Sequence, residues 1–99
     1  MEYGGKVILI TGASSGIGRA IALALSHHDN QIAVTARRAE LLLSLKREIE
    51  ANGSQCLTFP GDATRPEHGE EVVREVVRAF GKIDIAILNV GAGPASNPR

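Results

Sequence analysis

The apolar positions of this chain follow two alternating rhythms. Lys6-Val7-Ile8-Leu9-Ile10-Thr11 is a continuous run of apolar and β-branched residues, the pattern of a strand buried on both faces. After a glycine-rich turn from Gly12 to Gly18, Ile17, Ala20, Ile21, Ala24 and Leu25 recur at helical spacing. That spacing predicts a helix with those residues on its buried face. Burying Ile17, Ile21 and Leu25 would stabilise by roughly 1.5–3 kcal/mol each before entropy costs. The polar break His28-Asp29-Asn30 ends the helix.

The alternation then repeats. Gln31 to Ala36, with Ile32, Ala33 and Val34, reads as a second strand. Arg37 to Asn52 places Leu41, Leu42, Leu45 and Ile49 on one helical face, and Asn52-Gly53 is a stop that tolerates the left-handed conformation. Cys56 to Phe59 reads as a short third strand. Thr64 followed by Glu67 has the form of a capping box, with Pro66 in the first turn where no amide donor is missed. Val72, Val73, Val76, Val77 and Phe80 make a third apolar helix face, and Ile83 to Leu88 a fourth strand. Gly91 to Arg99 has no periodicity and reads as a loop or frayed tail. The order β-α-β-α-β-α-β predicts an α/β fold, a doubly wound parallel sheet with helices on both faces. Residues 1–99 form one domain, without repeat or linker.

Composition narrows the function. Eleven Lys and Arg balance eleven Asp and Glu, so charge gives no reason to expect nucleic acid or an anionic membrane as partner. With one Tyr, two Phe and no Trp, no aromatic platform exists for stacking on single-stranded bases. The single cysteine, Cys56, cannot form an internal disulfide, which points to a reducing compartment. Met1 to Gly5 is not a basic leader, and Val7 to Ile10 is too short for a signal core or a membrane span. A cytoplasmic location is expected. His27, His28, His68 and Cys56 lack metal-ligand spacing and read as structural. Gly69 inside the third helix costs about 1 kcal/mol, and nothing in the sequence accounts for it.

The candidate chemistry lies in Thr11-Gly12-Ala13-Ser14-Ser15-Gly16-Ile17-Gly18, where the first strand becomes the first helix. A helix start presents unpaired amides and the positive end of its dipole. Glycines let the backbone turn sharply and let a pyrophosphate approach closely, and Ser14 and Ser15 add hydroxyl donors. The Gly-Lys-Ser/Thr of a P-loop is missing. This turn resembles the cofactor turn of the short-chain dehydrogenase/reductase family, in its widely spaced G-x-x-x-G-x-G form. The resemblance runs from Lys6 to about Gly93, and implies a Rossmann-like dinucleotide-binding domain with a nicotinamide cofactor held by Gly12, Ser14, Ser15, Gly16, Ile17 and Gly18.

Three further stations carry the resemblance. NAD-using members of the family place an acidic residue at the end of the second strand. Here that position is Ala36, followed by Arg37 and Arg38. A guanidinium forks onto a 2′-phosphate, so NADP(H) is favoured over NAD(H). Gly61-Asp62-Ala63 resembles the adenine station, which implies that Asp62 accepts from the adenine amino group and Ala63 donates an amide. Asn89-Val90-Gly91 resembles the Asn-Ala-Gly ending of the family's fourth strand, with Leu88 in place of a first Asn. Asn89, Val90 and Gly91 would hold the strand end and let the cofactor ribose approach.

The family's catalytic Tyr-x-x-x-Lys, with its upstream Ser, has no match here; the only tyrosine is Tyr3, with no Lys four residues on. No residue of this chain is assigned a catalytic or metal-binding role. The sequence looks like the cofactor half of an NADP(H)-dependent oxidoreductase for carbonyl reduction or alcohol oxidation. The alternative is a non-catalytic dinucleotide-binding module or partner subunit. In the strand order 3-2-1-4 the fourth strand is an apolar edge, expected to promote self-association. The sheet is then incomplete, at about four strands and three helices.

Overall fold

The computed structural model describes residues 4–14 and 16–89. Its elements are β1 (Val7–Thr11), α1 (Gly16–Leu25), a short 3₁₀ turn (Ser26–His28), β2 (Gln31–Ala36), α2 (Ala39–Ala51), β3 (Gln55–Pro60), α3 (Pro66–Phe80) and β4 (Ile85–Leu88). All strand pairs are parallel, in the order β3-β2-β1-β4. This is the Rossmann-like α/β sheet that the alternation predicts. Ile8 pairs with Ile32 and Ile85, and Ile32 pairs with Cys56, so the central residues lie in one row across the sheet.

Alternate residues of each strand face opposite layers. Ile8, Ile10, Ile32, Val34 and Cys56 pack with Ala22, Leu42, Leu45 and Ile49 beneath α1 and α2. Val7, Leu9 and Ala33 pack with Val72 and Val76 beneath α3. Two helices therefore cover one face and one helix the other. Val73 and Val77 are each 43% exposed, because a lone helix presses only its central stripe against the sheet.

The face of α1 differs from its sequence reading by one position. Ile17 is 71% exposed, and Ala20 and Ala24 also face solvent. Gly18 and Ala22 are the buried residues of this helix, with Ile21, Leu23 and Leu25 partly covered. At Gly18 the helix lies too close to the Gly12 carbonyl to admit a side chain. The expected contribution from burying Ile17 is therefore absent.

The start of α3 also differs. Its N-cap is Arg65, in extended conformation and without a side-chain cap, so Thr64 and Glu67 form no capping box. Thr64 instead donates its amide and its hydroxyl to Asp62 Oδ1, at 2.9 and 2.6 Å. An aspartate two residues upstream outcompetes the helix for this hydroxyl. Pro66 does stand in the first turn. Helix α2 begins at Ala39 rather than Arg37, and β3 extends over Gln55–Pro60. Pro60 is tolerated at the end of that edge strand.

β4 starts at Ile85, later than the apolar run suggests. Asp84 exchanges bonds with β1 just before it: the Val7 amide donates to Asp84 Oδ2 and the Asp84 amide to the Val7 carbonyl, both at 2.8 Å. The Val7 bond holds the Asp84 carboxyl below its usual 3.8, with Lys82 helping. On its outer side β4 has no neighbour among the described residues, and Leu88 is 71% exposed.

The amino ends of the strands converge on a buried polar hub. Asn30 is 1% exposed. Its Oδ1 accepts from the Lys6 amide at 2.9 Å, and its Nδ2 donates to the Leu25 carbonyl at 2.8 Å. Its own amide donates to Ser54 Oγ, which in turn donates to the Ser26 carbonyl. Asn52 Nδ2 donates to Ser26 Oγ at 2.8 Å. Asp29, at φ 56°, supplies the left-handed turn into β2. Here each polar group is paired, as burial demands.

Candidate functional site

The carboxyl ends of the strands bring the glycine turn, residues 36–38, residues 61–64 and Asn89 to one edge of the sheet. β1 lies where the strand order reverses. In open α/β sheets, ligands bind in the crevice at that switch point.

The three glycines of the turn are needed for two different reasons. Gly12 and Gly16 sit at φ 62° and 61°, a region L side chains rarely adopt. Gly18 has an ordinary φ, but a Cβ there would run into the Gly12 carbonyl oxygen and lie 2.8 Å from Asn89 Nδ2. Beside Gly16 there is open space within 4 Å. The turn is pinned by the Ala13 amide, which donates to the Thr35 carbonyl at 3.2 Å. Asn89 closes it from the other side: its Nδ2 donates to the Gly12 carbonyl at 3.2 Å, and its carbonyl accepts from Thr11 Oγ1 at 3.3 Å. The first turn of α1 holds no acidic residue, so nothing on the helix offsets its positive end. Ser14 is half-buried, and Ile17 stands exposed at the mouth. Ser15, Val90 and Gly91 lie outside the described residues.

Arg37 and Arg38 are both exposed at the end of β2. Arg38 Nε donates to Glu40 Oε2 at 3.1 Å. Arg37 forms no ion pair of that length among the described residues. It does lie near enough to Asp62 to act on its charge. The Thr64 hydroxyl and then the Thr64 amide hold the Asp62 carboxyl below 3.8, with Arg37 and Arg65 adding to the effect. Both Thr64 bonds fall on Oδ1, which leaves Oδ2 as an acceptor without a hydrogen bond among the described residues. Ala63 is exposed. It lines an apolar groove of about 560 Å³ between α3 and the sheet, together with Leu9, Gly69, Val73 and Leu88.

Sequence reasoning missed two residues here. Thr35, buried at 1% exposure, donates from Oγ1 to the Phe59 carbonyl at 2.6 Å. Its Oγ1 also lies 2.8 Å from His68 Nε2. The available signal was Thr35 itself, a hydroxyl inside an otherwise apolar strand that needs a partner. Among the described residues no group of three or more His, Cys, Asp or Glu is placed to hold a metal, and no helix is long and apolar enough to cross a membrane.

The short chain dehydrogenase family model matches residues 6–98. An uncharacterized oxidoreductase of Listeria monocytogenes is 38% identical over 96 residues, covering 97% of this chain and 39% of that protein. L-rhamnose 1-dehydrogenase (NAD(P)(+)) of Sphingomonas is 36% identical over 91 residues, covering 91% of this chain and 36% of that protein. The crystal structure of L-sorbose reductase from Gluconobacter frateurii, complexed with NADPH and L-sorbose, superposes with a TM-score of 0.89 at 38% identity. That match covers the whole of this chain and 37% of the reductase. The chain thus spans less than half the length of these relatives. Strand order, glycine turn and these matches agree: the chain belongs to the short chain dehydrogenase family of oxidoreductases.

Proposed function

We propose that this chain forms the NADP(H)-holding part of an oxidoreductase that reduces carbonyls or oxidises alcohols. The observation that carries the reading is Arg37, exposed directly after Ala36, the last residue of β2, where an apolar residue stands in place of the acid that NAD-using members carry. A carboxylate at that point would repel a 2′-phosphate; a guanidinium grips one with paired N–H donors. The glycine turn fits the pyrophosphate, because Gly12 and Gly16 supply the left-handed backbone and the side of Gly16 is open. Gly12, Ser14, Ser15, Gly16, Ile17 and Gly18 would surround the phosphates. Asp62, through its open Oδ2, and Ala63 would meet the adenine; Asn89, Val90 and Gly91 would border the ribose. Arg38, already paired with Glu40, plays the lesser part.

When bound, the cofactor supplies or accepts a hydride at its nicotinamide. The chain's own residues bind and orient it, and none of them is assigned the proton transfer. The single buried cysteine supports a reducing, cytoplasmic location, and the uncovered β4 edge supports self-association through that strand.

Calorimetric titration of Arg37→Ala tests the reading. A charge-assisted contact contributes roughly 1.5–3 kcal/mol, so NADPH affinity should fall by about one to two decades. NADH affinity should hardly change. An equal loss for both cofactors would refute the assignment.

A further inference from the structure

His68 takes no part in the cofactor contacts proposed above, yet it joins two of the segments that would make them. A Cβ on Gly61 would lie 2.6 Å from His68 Nδ1 and 2.7 Å from Nε2. The ring is therefore packed directly against Gly61, where a side chain has no room. Gly61 opens the loop that carries Asp62 and Ala63, and its amide donates to the Ala36 carbonyl at 2.9 Å. From the other side, His68 Nε2 meets Thr35 Oγ1 at 2.8 Å, two residues before Arg37.

The direction of that last bond follows from counting protons. A hydroxyl has one to give. The Phe59 carbonyl can only accept, and it lies 2.6 Å from Thr35 Oγ1. The hydroxyl proton goes there, so Oγ1 accepts from His68 and Nε2 carries the hydrogen.

We propose that His68 is a positioning residue for the adenine and ribose end of the cofactor. It fixes the spacing between the end of β2, which presents Arg37, and the Gly61-Asp62-Ala63 loop. This rests on the dinucleotide reading of the site. Its basis is one ring wedged between Thr35 and Gly61, which adds to the bond that the Gly61 amide makes to the Ala36 carbonyl.

The test uses the chain labelled with ¹⁵N, in wild-type form and as His68→Leu and His68→Gln. Two quantities are read: amide exchange at Gly61, Asp62 and Ala63 without ligand, and calorimetric affinity for NADPH and for 2′,5′-ADP, the adenine half alone. Losing one net hydrogen bond should weaken both ligands in His68→Leu by the same factor, about 3–10-fold. Exchange of the loop amides should speed up in the same variant, while amides of β1 keep their rates. His68→Gln, which can still donate to Thr35, should restore both. If His68→Leu does not fold, His68→Ala removes the same donor without adding a branched apolar group. Unchanged exchange and affinity in a folded variant would overturn the role, as would a loss seen with NADPH but not with 2′,5′-ADP. If the wild-type chain binds neither ligand, the dinucleotide reading fails and this role with it. Unchanged exchange and affinity beside intact wild-type binding defeats the positioning role alone.

Discussion

The same substitution at two helical glycines should act in opposite directions. Gly→Ala inside a helix gains about 0.8–1 kcal/mol from backbone propensity alone. At Gly69 of α3 the new Cβ meets nothing within 4 Å, so the whole gain should appear as stability. For a domain of this size that raises Tm by about 4–8 °C. At Gly18 of α1 the Cβ meets the Gly12 carbonyl oxygen, which is backbone and cannot swing aside, and Asn89 Nδ2 at 2.8 Å. Overpacking of this kind costs about 1–3 kcal/mol. It also pushes the Asn89 amide off the Gly12 carbonyl, a bond with a net contribution of about 0.5–1.5 kcal/mol. After subtracting the propensity gain, Gly18→Ala should destabilise by about 1–3 kcal/mol. Urea unfolding of both variants, fitted with a shared m-value, measures the difference directly. Shifts of the same sign would refute the argument, because they would mean that the turn yields to an added methyl group as freely as open solvent does.

Three other outcomes are expected. Asn30→Ala removes the acceptor of the Lys6 amide and a side-chain donor to the Leu25 carbonyl in a half-buried place, and should cost about 1–3 kcal/mol by chemical denaturation. Asp84 has a lowered carboxyl pKa, so its stabilisation is fully present above 3.8 and is lost as pH falls through the lower folded value. Thermal scans across that acid range should show a steeper loss for wild type than for Asp84→Asn; parallel curves would contradict the role of the Val7 bond. Burial pushes the Cys56 thiol up to about 12, so alkylation near pH 8 should proceed only through opening of the chain. Rapid labelling in native buffer would show that Cys56 is not enclosed.

What the sequence made legible was whatever depended on backbone rhythm. β2 runs over Gln31–Ala36 as its apolar pattern predicts, and the order β3-β2-β1-β4 is that of the doubly wound fold, one of the few topologies that right-handed crossovers leave. What escaped it depended on distance in space. The buried stripe of α1 shifted by one residue because Gly18 is pressed on the Gly12 carbonyl, and the pattern Ile17, Ile21, Leu25 carries no record of that contact. Thr64 has the spacing of a helix cap, yet Asp62 reaches its hydroxyl first. Asp84 interrupts an apolar run for the sake of the Val7 amide, 77 residues away in the chain. His68 carries no spacing signal at all, since its partners Thr35 and Gly61 lie on different strands' ends. The left-handed positions of the glycine turn were readable because they are local in sequence.

The Asn30 hub lies at the amino ends of the strands, whereas the glycine turn, Arg37 and Asp62 lie at the carboxyl ends. The anchoring hub and the proposed recognition site are therefore physically separate in this molecule. Exposed positions such as Arg37 and Ala63 carry little of the packing, so changes there should alter ligand choice while leaving the scaffold intact. Changes at Asn30, Ser26 or Ser54 should do the reverse. A library that varies residues 37, 38 and 63 ought to yield mostly folded members, which makes this sheet a tractable starting point for redirecting dinucleotide preference.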